Sequence, residues 1–66
     1  MIEGKLYRLD TKRYAIDGDA RHELTCGDVV EVLIDSRWER ASVEASKGEY
    51  YLTNGHPIDG AYIRIE

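Results

Sequence analysis

The sequence predicts an all-β domain, built as a small, partly open barrel of about five to seven short strands. Turn signals of the Gly and Asx type recur along the chain, and the runs between them are short and rich in Val, Ile, Leu and Tyr. No window carries the apolar stripe at 3.6-residue spacing that an amphipathic helix requires. Without a helix to cover a sheet, the strands must bury their apolar faces against one another, and a barrel does this while reducing exposed edges.

Seven segments fit the strand pattern, each bounded by turn residues. We expect strands over Lys5–Leu9, Arg13–Ile16, Arg21–Leu24, Val29–Ile34, Trp38–Glu44, Tyr50–Thr53 and Ala61–Ile65. The fourth is almost wholly apolar, which indicates a central position. In the last, isoleucines alternate with Tyr62 and Arg64, as is typical of a half-buried closing strand. The segment Asp17-Gly18-Asp19 is best explained as a polar hairpin turn.

A two-residue turn at Asp35-Ser36 defines the register of the central hairpin. The turn sets three cross-strand pairs, Leu33–Trp38, Glu31–Arg40 and Val30–Ala41. Because side chains alternate along a strand, the outer face carries Val29, Glu31, Leu33, Trp38, Arg40 and Ser42. The core face carries Val30, Val32, Ile34, Ala41 and Val43. In this register we expect Glu31 and Arg40 to form an ion pair, and a longer turn would change the register.

The size and composition of the chain limit the classes of protein to consider. Its 66 residues make one small domain, taken as residues 1–66, which buries only roughly 60% of its unfolded surface. Thirteen acidic against nine basic residues give a net charge of −4, and scattered basic residues disfavour binding by phosphate neutralisation. A lone cysteine favours a reducing compartment, and neither a signal peptide nor a membrane span is evident. We therefore expect a cytoplasmic protein.

Short motifs spread along the chain match one family of proteins. They run from Gly4-Lys5-Leu6-Tyr7 and Arg13-Tyr14 to Tyr50-Tyr51-Leu52 and Ile63-Arg64-Ile65. The central block is Leu24-x-Cys26-Gly27-Asp28-x-x-Glu31-Val32-Leu33-Ile34-Asp35-x-x-Trp38, followed by Val43-Glu44. On these residues the chain resembles a family of short uncharacterised proteins from Gram-positive bacteria, often carried on mobile elements. The resemblance implies a bacterial origin, and it implies no mechanism because the family has no assigned activity.

The order of the central residues is also similar to that of SH3-like barrels. A Gly-Asp turn at Gly27-Asp28 leads into an apolar strand, a tight loop, Trp38 and then Ala41. In peptide-binding members of that class a Trp, a Pro and several Tyr residues form a groove for Pro-rich segments. This resemblance implies an SH3-like barrel in which Trp38, Pro57 and Tyr62 would form such a groove.

Catalysis is not expected, because no set of reactive groups converges in the sequence pattern. Cys26 and His22 come nearest to a nucleophile with its base, but no oxyanion donor or orienting group accompanies them. We expect Cys26 to be a small buried apolar residue instead. His22, His56 and Cys26 lack the paired short spacings of a zinc site. No metal or other cofactor is therefore expected.

The residues left for function suggest an interaction site. Trp38, Leu33 and Arg40 share the outer face, with Tyr62 and Pro57 as additions, and Trp and Arg are over-represented at binding hot spots. We expect a non-enzymatic module that binds an unknown protein or peptide partner. Trp38 could instead serve only as the cross-strand neighbour of Leu33. Two further alternatives stay open: a self-associating domain with the Trp38 face as its contact, and a nucleic-acid-associated barrel using Arg8, Arg13, Arg37, Arg40 and Arg64.

Overall fold

The computed structural model of the protein describes the backbone of residues 2–65 and the side chains of residues 2–18 and 23–65. All seven expected strands are present, although β1 begins three residues earlier than expected and β5 ends two residues later. Within the described residues there is no helix, and hence none able to cross a membrane. The strands are β1 (Ile2–Arg8), β2 (Tyr14–Ile16), β3 (Asp19–Glu23), β4 (Val29–Ile34), β5 (Arg37–Ser46), β6 (Glu49–Leu52) and β7 (Tyr62–Ile65).

The strands form one antiparallel sheet in the order β3-β2-β1-β7-β4-β5-β6. The sheet curls at β1, which pairs with β7 through residues 2–5 and with β2 through residues 6–8. The final strand β7 lies between β1 and β4, so it joins the first three strands to the next three. The result is the expected all-β, partly open barrel.

The inner face of the curled sheet forms a single hydrophobic core. Its members come from six strands and two loops, and Ile16, Leu24, Val32, Val43 and Ile63 are fully buried. The core face expected for the central hairpin is confirmed, with Ile34 packing half-buried at its margin. The buried members of this core cluster are Leu6, Tyr14, Ile16, Leu24, Val30, Val32, Ala41, Val43, Leu52, Ile58, Ala61 and Ile63.

The central hairpin has the expected two-residue turn and register. Leu33 pairs with Trp38, Glu31 with Arg40, and Val30 with Ala41. The turn residues Asp35 and Ser36 both adopt positive φ angles, 50° and 67°. Two consecutive positive φ values are the conformation that matches the right-handed twist of the flanking strands.

Replacing Ser36 by glycine should stabilise the protein. A non-glycine residue pays a steric cost at positive φ, and Asp-Gly is a preferred pair for this turn. We expect Ser36→Gly to raise the free energy of unfolding by about 0.5–1 kcal/mol in urea denaturation followed by Trp38 fluorescence. The control Ser42→Gly, inside β5, should lower it by about the same amount. A destabilised Ser36→Gly would contradict this description of the turn.

Gly4 allows β1 to approach the β2–β3 turn closely. A Cβ atom at this position would lie 2.7 Å from Cγ2 of Ile16 and 2.9 Å from the carbonyl oxygen of Asp17. The amide of Asp17 donates a 2.8 Å hydrogen bond to the carbonyl oxygen of Lys5, which holds the two segments together. The place where the sheet folds over therefore has no room for a side chain.

The substitution Gly4→Ala should destabilise the fold by about 1–3 kcal/mol, because the added methyl group overpacks a closed site. The control Lys5→Ala alters an exposed side chain on the same strand and should change the free energy of unfolding by less than about 0.5 kcal/mol. Chemical denaturation of both variants checks the difference. Equal stabilities would show that β1 can move away from the turn at little cost.

Candidate interaction surface

The outer face of the four strands β1, β7, β4 and β5 carries two parallel rows of side chains. Strand register places Glu3 opposite Arg64, Arg64 opposite Glu31, and Glu31 opposite Arg40. We call these four residues the charged row. Beside this row, two residues away on each strand and all on the same side, lie Lys5, Tyr62, Leu33 and Trp38, which we call the aromatic row.

Trp38 projects from β5, at one side of this face, and its indole extends toward β7. The guanidinium carbon of Arg64 is 4.0 Å from the centroid of the indole, and the Tyr62 ring centroid is 6.3 Å away at an interplanar angle of 45°. Because β4 separates β5 from β7, the indole must reach across β4 to make these contacts. Trp38 is half-buried by its neighbours and does not enter the core. Such a cation–π contact contributes about 0.5–1 kcal/mol at an exposed site.

The ion pair on this face joins Glu31 to Arg64. Nε of Arg64 donates to Oε1 of Glu31 at 2.8 Å, with side-chain exposures of 28% and 39%. The expected Glu31–Arg40 ion pair is therefore wrong, although the two residues are cross-strand neighbours. Glu31 has a cross-strand neighbour on each side, and Arg64 is the one whose guanidinium also stacks on Trp38. A pair this exposed adds little stability but fixes the orientation of the guanidinium.

Tyr62 is tied to β1 through its hydroxyl group, which donates a 2.8 Å hydrogen bond to Oε2 of Glu3. This bond to a carboxylate raises the pKa of Tyr62, since it favours the protonated phenol. The residue as a whole remains 39% exposed. The hydroxyl group is thus held in place on a residue that stays accessible to solvent.

Apolar surface and a basic side chain flank the cluster formed by Trp38, Arg64 and Tyr62. Leu33 is 37% exposed and Val29 is 46% exposed. Arg40 is exposed and forms no ion pair with any side chain that the structure describes. An open groove of about 440 Å³ runs beside the charged row. It is lined by Val29, Val30, Glu31, Arg40, Arg64 and Ile65.

Four of the five expected contact residues share this face: Trp38, Leu33, Arg40 and Tyr62. Pro57 is exposed in the loop over residues 53–61, where its carbonyl oxygen lies 2.9 Å from Nδ1 of His56. That contact is local, so a groove formed by Pro57 with Trp38 and Tyr62 stays a prediction. Arg64 was missing from the expected site, although its alternation with Ile63 and Ile65 already placed it beside Tyr62 on the outer side.

Cys26 is exposed, and the expectation that it is buried is wrong. It lies in the loop before β4, on the outside of the sheet, and its Sγ donates a 3.1 Å hydrogen bond to Oε1 of Glu44. This bond raises the pKa of the Cys26 thiol above the ordinary value of 9.0. The side chain of His22 lies outside the described residues, as does any Cys26–His22 pair. Among the side chains described, no group of three His, Cys, Asp or Glu residues could hold a metal ion.

Removing Glu44 should make Cys26 more reactive. The hydrogen bond to the carboxylate stabilises the protonated thiol, so Glu44→Ala should lower the thiol pKa and raise the thiolate fraction. We expect faster alkylation by iodoacetamide at about pH 8, followed by mass spectrometry, and a pH–rate curve displaced to lower pH. Glu39→Ala removes an exposed carboxylate from the same strand and should leave the rate unchanged. Identical rates for both variants would contradict the Cys26–Glu44 contact.

The fold and this surface define a small all-β domain, a partly open barrel that carries an aromatic and charged outer face. The chain belongs to the family described as a domain of unknown function (DUF5348), which matches residues 5–65. No curated protein and no solved structure matches the chain.

Proposed function

We propose that this chain is a non-enzymatic interaction module whose contact surface is the outer face of β1, β7, β4 and β5. The observation that carries the proposal is the Trp38–Arg64–Tyr62 cluster beside the exposed side chain of Leu33. Binding energy at protein interfaces concentrates on Trp, Tyr and Arg side chains near the centre of a contact. Here a Trp, a Tyr and an Arg side chain lie together on an exposed face of the sheet.

Contacts within the chain support a cluster that is held in position without a partner. Glu31 orients Arg64, Arg64 packs on the indole of Trp38, and Glu3 holds the hydroxyl group of Tyr62. Ordering a rotamer-rich side chain on binding costs about 0.5–1.5 kcal/mol, so a surface held in place beforehand loses less on association. This supports a binding role for Trp38 beyond its pairing with Leu33.

The charge of the face supports a protein partner over a nucleic acid. Arg64 is already neutralised by Glu31, and Glu3 lies in the same row. Affinity for nucleic acids depends mainly on basic groups that neutralise phosphates, and the chain carries a net charge of −4. A salt-sensitive shift of DNA or RNA in a gel assay would overturn this preference.

The cellular setting is part of the same proposal. The motif resemblance supports an accessory protein of a Gram-positive bacterium or of a mobile element within it. The single cysteine supports a cytoplasmic location, where thiols stay reduced.

Trp38→Ala should weaken binding to a protein partner by roughly tenfold or more, because it removes the largest side chain of the Trp38–Arg64–Tyr62 cluster. The test is affinity capture from a Gram-positive host that carries the gene, followed by titration of the captured protein against each variant. Tyr51→Ala is the matched control. Tyr51 is 47% exposed on β6, opposite Glu44, and therefore about 20 Å along β5 from Trp38.

Folding of each variant is checked by circular dichroism and urea denaturation before the affinities are compared. Loss of affinity in Trp38→Ala alone supports the proposed face. Equal affinity of wild type and Trp38→Ala, with both folded, would remove Trp38 from the contact and refute the proposal.

A further inference from the structure

We infer that the partner of this face is a second copy of the chain, docked face to face. The inference rests on the proposed function and specifies its partner. Its basis is the order of charges in the charged row, which reads Glu3, Arg64, Glu31, Arg40 across four neighbouring strands. The signs alternate, and the row begins with an acid and ends with a base.

Such a row is complementary to itself under one particular symmetry. A two-fold axis that runs parallel to the strands, midway between Arg64 and Glu31, reverses the order of the row in the second copy. Glu3 then faces Arg40 of the second copy, and Arg64 faces Glu31 of the second copy. Every acidic residue of the charged row meets a basic one, and each contact occurs twice, as in any isologous interface.

The aromatic row is complementary under the same operation. Its order is Lys5, Tyr62, Leu33, Trp38, so reversal places Tyr62 against Leu33 of the second copy and Lys5 toward Trp38 of the second copy. The first contact covers two exposed apolar side chains, which are 39% and 37% exposed in the single chain. The second places Lys5 opposite the strand that carries Trp38, whose indole extends across β4 toward β7.

The arrangement with a two-fold axis lying along the charged row is unfavourable. A two-fold axis along the row would place Glu3, Arg64, Glu31 and Arg40 each against its own copy. Like charges opposed across an interface disfavour that complex. The charge order therefore favours the axis parallel to the strands over this one, and the two sheets then pack with aligned strands, the common arrangement for sheets that meet face to face.

The size of the face indicates a weak dimer. Four strands about 4.8 Å apart and about five residues long give a footprint of roughly 300 Å². Stable interfaces bury about 800 Å² on each partner. The curvature of the barrel also separates the two sheets toward β1 and β5, where the long side chains of Glu3 and Arg40 can span the gap. We expect dissociation constants in the micromolar to millimolar range.

Charge reversal at the two ends of the row tests the arrangement. Glu3→Arg and Arg40→Glu each create like-charge contacts in both symmetric positions, so each variant alone should associate at least about tenfold more weakly than wild type. An equimolar mixture of the two variants restores both opposite-charge contacts in a heterodimer. Sedimentation velocity from about 10 μM to about 1 mM should show wild type and the mixture associating, with the separate variants requiring at least about tenfold higher concentration for the same dimer fraction.

Two variants provide matched controls for the change in net charge. Glu49→Arg on β6 and Arg13→Glu in the loop before β2 alter exposed residues away from the face and should leave association unchanged. Circular dichroism checks that Glu3→Arg still folds without the hydrogen bond to Tyr62. A wild type that stays monomeric at about 1 mM, or a mixture that associates no better than its components, would overturn the inference.

The same experiments separate this inference from the proposed function. If wild type stays monomeric while Trp38→Ala loses a captured partner, the dimer is refuted and the interaction face stands. If association is disrupted by Trp38→Ala and recovered in the Glu3→Arg and Arg40→Glu mixture, the second copy is the partner. If wild type is monomeric and Trp38→Ala changes no affinity, both are refuted.

Discussion

The pairing of β7 with both β1 and β4 is the constraint on which the rest of the structure depends. The first three strands and the next three form two separate meanders, and β7 joins them into one sheet. Its inward residue Ile63 is fully buried in the core. Its outward residues Tyr62 and Arg64 complete the exposed cluster around Trp38. The same strand therefore closes the core and builds the surface.

The contacts on the outer face follow from this arrangement. Because β7 lies between β1 and β4, its outward side chains have neighbours on both sides. Arg64 lies between Glu3 and Glu31, and its guanidinium is shared between a carboxylate and an indole. Tyr62 connects to β1 through Glu3. These contacts link side chains from four strands, so the exposed residues of the face are connected to one another.

The chemistry available elsewhere on the chain is more limited. The most nucleophilic side-chain type present, the thiol of Cys26, donates a hydrogen bond to Glu44, which raises its pKa and disfavours the thiolate. A reactive cysteine requires the opposite environment, a nearby base or positive charge. The physical features that stand out are the packed aromatic cluster and the alternation of charge, and these support the proposed binding role.

The sequence by itself determined the strands, the central hairpin and the division of its residues between core and outer face. These follow from local rules: a two-residue turn sets the register, and alternation along a strand sets the face of each side chain. The pairs Leu33–Trp38 and Val30–Ala41 were predictable for this reason. Tertiary structure alone decided which residues meet across β7. The Glu31–Arg64 contact spans 33 residues of chain, and nothing local distinguishes Arg64 from Arg40 as the ion-pair partner. The exposure of Cys26 was also a tertiary outcome, because its loop lies outside the sheet, beside Glu44 of β5.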